Sequence, residues 1–178
     1  MAEFDPAGYW EFHLASGAMR TQSGQRVVAV PEDVLASLIA HAVHAGDAAA
    51  LVRLGEHLGK EAREALGADA RGLGPDAVLG QAGAIVTLFG LGKLGLSRWG
   101  DALVVSLDGA PQVDPSREAA GALLSGLFST LAGHKVACVP VEDARFVLVH
   151  PDAEGAVRAL AKSGATLADL VSQLGEPS

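Results

Sequence analysis

The amino-acid sequence predicts an α+β fold, a small antiparallel sheet flanked by helices, and three observations carry that reading. Strand-like runs do not alternate regularly with helices, as a parallel doubly wound sheet would require. Two long segments repeat apolar residues at helical spacing. Lys135 to Val141 and Arg145 to His150 alternate in character and are joined by Glu142-Asp143-Ala144, the pattern of a tight hairpin.

Residues 1–12 read as a weakly ordered lead. His13 to Val30 holds a small hairpin with Ser23-Gly24 as its turn, and Val27 to Val30 is its clearest strand. Pro31 opens a helix, its fixed φ suiting a first turn, with Glu32 and Asp33 at the positive end of the dipole. Val34, Leu35, Leu38, Ile39 and Val43 follow at helical spacing up to Gly46. Asp47 caps a second helix, in which Leu51, Leu54, Leu58, Ala62 and Leu66 form a stripe opposite Arg53, Glu56, Lys60, Glu61 and Glu64. His57 falls on the charged side and is expected in solvent.

A Gly-rich loop over 67–74 leads to a third helix from Pro75. It is apolar nearly all round, which places it at the domain centre or in a subunit interface. Ala102 to Ser106 is a strand, Asp114 to Ser116 caps a fourth helix, and Gly133 closes it. Two short helices capped by Asp152 and Thr166 complete a chain read as one domain over 1–178, with a lead and hairpin at 1–30 and a helix-rich core over 31–178.

Composition narrows the function. Hydrophobic residues make up 49% of 178 residues and charged residues 19%, so the chain can bury a substantial core. Aromatics are only 4%, the net charge is −8 and no run of Lys or Arg occurs, which together argue against nucleic acid. One cysteine, Cys138, allows no internal disulfide and suits a reducing cytoplasm; on a strand it reads as a small buried hydrophobe. The N-terminus carries acids where a signal peptide carries bases, and glycines break the apolar stretch over 77–96, so neither export nor a membrane span is expected. Abundant Ala, Gly and Val, with Arg over Lys, is a composition associated with GC-rich bacterial genomes.

The motifs that could carry chemistry are incomplete. Gly90, Gly92 and Gly95 spell GxGxxG, but a helix precedes them and no full helix follows, so helix termination and close packing explain them better than a dinucleotide site. His41 and His44 share a helix face without a third ligand, and no metal or cofactor is expected. Ser125 lacks a nucleophile elbow, and Glu142 and Asp143 sit side by side on a turn where they cannot act as an opposed pair. His134 and His150 flank the hairpin and suit capping or contact roles; an oxidoreductase or lyase using either as a general base is the enzymatic rival. Trp99 stands between glycines beside Arg98 and Asp101, an odd place for a large ring unless it roofs a pocket or anchors a contact.

The succession GLGKLGLSRWGDALVVSLDGAP and EAAGALLSGLFSTLAGHKVACVPVEDARFVLVHPD resembles the 4-vinyl reductase domain over about residues 75–151. That domain is also found in hydrocarbon-binding proteins and is related to subunits of the TRAPP vesicle-tethering complex. LVRLGEHLGKEA resembles the helix that precedes it in that family. At the last strand the family often carries cysteines, and Ala144 and Arg145 stand here instead. The resemblance implies a helix-flanked antiparallel sheet, commonly dimeric, that binds an apolar small molecule or acyl chain or docks a protein. The expectation is a cytoplasmic, non-enzymatic homodimer whose apolar pocket is roofed by Trp99 and lined by Leu88, Phe89, Leu124, Phe128 and Phe146. The alternative is an assembly or scaffold subunit in which another chain fills those surfaces.

Overall fold

The computed structural model describes residues 8–67, 74–100, 102–111, 114, 116–142 and 144–174; the expected Gly-rich loop, Asp101 and Asp143 fall wholly or partly outside that set. The elements run β1 (Trp10–His13), β2 (Ala18–Thr21), β3 (Arg26–Val27), α1 (Glu32–His44), α2 (Ala49–Leu66), α3 (Pro75–Leu88), β4 (Lys93–Trp99), β5 (Ala102–Asp108), α4 (Glu118–Ala132), β6 (Ala137–Glu142), β7 (Arg145–Val149), α5 (Pro151–Lys162) and α6 (Leu167–Leu174). The first three strands form one antiparallel sheet, and the rest form a second in the order β4-β5-β7-β6. Both of its outer pairs are hairpins, and β5 lies antiparallel to β7, so α4 must carry the chain past β7 to reach β6. The fold is α+β.

Alternation along the strands divides the larger sheet into two faces. Leu94, Val105, Leu107, Cys138 and Phe146 point into a first core shared with α2, α3 and α4. Ala102, Val104, Val139, Val147 and Val149 point the other way, into a second core closed by Val157 of α5 and by Leu167 and Leu170 of α6. Complete burial of Phe146 contributes about 2–3 kcal/mol to the first core.

Glycine sets the spacing of the central layer. A side chain at Gly126 of α4 would stand 2.1 Å from the Val52 carbonyl oxygen, and one at Gly55 of α2 would stand 1.9 Å from that of Leu123. The two backbones therefore touch. On the other side of α4, a side chain at Gly121 would meet the Cys138 carbonyl oxygen at 2.8 Å, which seats the helix directly on β6. Ser125 Oγ fastens that contact by accepting from the Cys138 amide at 2.8 Å while donating to the Gly121 carbonyl.

Several expectations change. Residues 93–99 form a full strand, because Gly90 (φ +69°) and Gly92 (φ +111°) end α3 and turn the chain, after which Leu94 and Leu96 alternate with Gly95 and Ser97. The glycines conceal that alternation in the sequence. Within the lead, Tyr9 is only 3% exposed and Trp10 begins a strand, whereas only Val27 of the expected strand Val27–Val30 pairs and Val28 is 73% exposed. The apolar third helix is a flanking element: it packs on α2 and β4 while Gly80 and Thr87 face solvent, and α4 takes the central place. Caps shift by a residue or so: Ala48 holds the N-cap of α2 while Asp47 accepts from the Ala49 amide, and His150, not Asp152, caps α5. Thr166 and Asp169 form a reciprocal capping box at α6, where Thr166 was expected. No helix among the described residues is long and apolar enough to cross a membrane.

The glycine contacts predict opposite outcomes for one substitution type. Gly126→Ala forces apart two backbones and costs about 3 kcal/mol or more, lowering the melting temperature by roughly 6–12 °C. Gly80→Ala meets nothing within 4 Å and raises stability by about 0.5–1 kcal/mol through helix propensity. Thermal unfolding of the two variants beside the parent checks both signs.

Candidate functional site

Five of the six expected pocket residues lie in the first core. Leu124 and Phe146 are fully buried there, Phe128 is 5% exposed, and Leu88 and Phe89 pack against them from the end of α3. Trp99 does not roof this group. It pairs with Ala102, five positions along β4 from Leu94, so alternation sends its ring to the sheet's second face. There it is 39% exposed, and the Arg145 guanidinium lies over it, 5.7 Å from the ring centroid.

The aromatic neighbours of Phe89 come from the N-terminal strand. Trp10 meets it edge-on at 5.1 Å and Tyr9 at 6.3 Å, with Tyr9 and Trp10 5.0 Å apart. Tyr9 is held by a carboxylate that the sequence places in solvent. Glu61 is only 4% exposed, because α2 turns this position under the N-terminal hairpin. It accepts from Tyr9 Oη at 2.9 Å, from Ser23 Oγ at 2.6 Å and from Thr21 Oγ1 at 3.5 Å, and His57 Nε2 stands 3.8 Å away. The charge is buried but well supplied with donors, so it ties the hairpin to α2. Burial, reinforced by the bond to Glu61, pushes the Tyr9 phenol well above its ordinary range.

One buried polar atom has no such supply. Gln81 Nε2 is buried without a hydrogen-bond partner among the described residues. Gln81 precedes Ile85 and Leu88 by four and seven positions, which puts it on the same side of α3 as these two members of the first core. An orphaned amide of this kind costs about 1–3 kcal/mol. It is the single polar residue between Val78 and Val86, the one signal in the sequence that could have singled it out.

Outside the first core, a groove of about 610 Å³ runs between α2, α4 and α5 over Val52, Ala119, Ala122 and Val136. Its rim carries Arg158, which bridges Glu118 and Glu154 and joins α5 to the start of α4. A second groove of about 510 Å³ contains Trp99 and Arg145. The histidines stay apart: His41 Nδ1 contacts its own helix at the Ser37 carbonyl, His134 is exposed, and His150 caps α5. No group of three metal-ligating side chains forms among the described residues. Gly90 and Gly92 turn the chain into a strand, so no helix N-terminus follows the GxGxxG run.

No protein-family profile matches the chain, and no curated protein sequence does. Among solved structures, the phenol-responsive sensory domain of the transcription activator PoxR, determined with phenol, shares the fold: the TM-score is 0.61 at 16% identity, over 86% of this chain and 92% of that one.

Cys138 is 1% exposed, as expected of a small core residue, and burial pushes its thiol up to about 12 from an ordinary 9.0. The sign follows from linkage. The folded chain keeps a proton that the unfolded chain releases above pH 9, so this contribution to stability is complete below pH 9 and is lost as pH rises toward 12, with a limiting slope of about 1.4 kcal/mol per pH unit. Urea titrations between pH 8 and 12 should show this fall, and Cys138→Ala should reduce its slope.

Proposed function

We propose that the chain is a non-catalytic sensing module for a small apolar ligand with a single ring and one polar oxygen, held in the first core among Leu88, Phe89, Leu124, Phe128 and Phe146. The orphaned Gln81 amide carries this reading. A phenolic or carbonyl oxygen beside α3 satisfies that donor, while the aliphatic and aromatic neighbours take the ring. The fold shared with a domain that responds to phenol supports the same ligand class, and the reading extends the resemblance to hydrocarbon-binding and 4-vinyl reductase domains. Trp99 takes no part in this pocket.

A second copy of the chain completes the module in the cytoplasm. The observation that favours this is α1, an apolar helix with no buried residue, on which Val34 is 46% and Leu38 60% exposed. Beside it Val28 and Val30 are also bare, and such a patch on a soluble chain marks an interface. If the first core proves closed to ligands, the same surface supports the assembly reading.

Thermal unfolding with phenol, p-cresol and benzyl alcohol tests the ligand. At a concentration about 100 times its Kd, a binding probe adds about 2.7 kcal/mol, raising the melting temperature by roughly 5–11 °C. Gln81→Leu should raise the ligand-free melting temperature by removing the orphan and abolish the response. No saturable shift from any of the three probes overturns the reading. Native mass spectrometry tests the interface: a dimer is expected for the parent and a monomer for Val34→Glu/Leu38→Glu, and a monomeric parent refutes it.

A further inference from the structure

The second face of the larger sheet is only partly covered. Helices α5 and α6 close it over β6, β7 and part of β5, while the strip along β4 stays open. Successive rows on this open strip are Lys93 with Asp108, Gly95 with Ser106 and Arg145, Ser97 with Val104, and Trp99 with Ala102. Its middle is low, since Gly95 has no side chain and one built there would lie 2.5 Å from Ser106 Oγ. The result is a trough of about 510 Å³, a volume suited to a small molecule, with a half-exposed indole at one end and a carboxylate at the other.

Arg145 is the informative residue. It starts from the Ser106 row, yet its guanidinium lies over Trp99, two rows away, leaning away from Asp108. A guanidinium held over an indole in this way is attracted to the ring face and still carries five N–H donors. Among the described residues it forms one ion pair, with Glu142 Oε2 standing 3.6 Å from Nη1 while Oε1 accepts from the Leu167 amide at 2.7 Å. The Arg145 side chain makes no hydrogen bond among the described residues. The Ser106 hydroxyl beside it has no partner among them either, and Ser97 Oγ makes only a long contact of 3.5 Å to the Val104 carbonyl.

We infer that this trough is a second small-molecule site, distinct from the first core, that binds a planar aromatic carboxylate. The carboxylate takes the Arg145 fork, the Ser97 and Ser106 hydroxyls supply further donors, and the ring rests against the exposed part of Trp99 beside Val104. Two features select a monoanion over a phosphate dianion. Asp108 lines the same trough, and the chain as a whole carries a charge of −8, so a second negative charge on the ligand is repelled.

Benzoate is the probe, and Trp99 is the reporter once Trp10→Phe has removed the other indole. Excitation at the red edge should show saturable quenching by benzoate and none by benzyl alcohol or phenol. Arg145→Gln in the same background should weaken the benzoate Kd at least tenfold while the far-ultraviolet circular dichroism stays unchanged. If Trp10→Phe disturbs folding, calorimetric titration of benzoate into the parent and Arg145→Gln proteins reads the same ratio. Absence of saturation, equal binding by Arg145→Gln, or benzyl alcohol binding as tightly as benzoate overturns the site. The two sites are separable, because Gln81→Leu leaves benzoate binding intact and Arg145→Gln leaves the phenol response intact.

Discussion

Helix α4 touches two neighbours through its backbone, and the rest of the molecule is arranged around that constraint. Gly126 admits the carbonyl of Val52, Gly55 admits that of Leu123, and Gly121 brings the opposite side of the helix onto the Cys138 carbonyl. Close approach without intervening side chains sets the distance from α2 to the sheet at little more than the thickness of one helix. An aliphatic residue at any of these positions would widen the layer and open gaps along its whole length. The first core is consequently thin around α4, and its larger side chains collect beside that helix, where α3 and the N-terminal strand complete the wall.

That arrangement separates two kinds of surface. The first face of the sheet is sealed by three helices, so a ligand reaching it must be apolar and must displace or slip between well-packed side chains such as Phe89 and Phe128. The second face is sealed only where α5 and α6 reach, and it leaves charged and hydroxylated groups in contact with water. Trp99 belongs to this second environment because of strand parity alone: a one-residue shift of register in β4 would have turned it into the first core. Parity therefore decides which face of the sheet each side chain meets.

Much of this was legible in the residues. Helical spacing located α1, α2, α4 and α5, the Lys135 to His150 hairpin was read within two residues of its ends, and Cys138 was placed in the core. What escaped was long-range. Residues 93–99 contain two small positions, Gly95 and Ser97, and their strand character depends on pairing with β5, which local propensity does not report. Tyr9 is ordered because Glu61 and Phe89, 52 and 80 positions away, receive it, and periodicity along α2 assigns Glu61 to solvent because it cannot anticipate the hairpin that covers it. Leu124, Phe128 and Phe146 share one core, whereas the facing of Trp99 depends on β4, whose pairing the local sequence does not report.

Glu61 and Gln81 show how the same cost can be settled in two ways. Each puts a polar group where water does not reach, and each would destabilise the fold if left alone. Around Glu61 the chain supplies Tyr9, Ser23, Thr21 and the nearby His57, drawn from two segments far apart in sequence, so the carboxylate acts as a clasp for the hairpin and needs nothing from outside. Around Gln81 it supplies nothing to the amide nitrogen. A leucine there would have continued the apolar side of α3 through Ile85 and Leu88, at no cost in packing volume and with a gain in stability. The proposed sensing role rests on that donor, which an acceptor arriving from solution would satisfy.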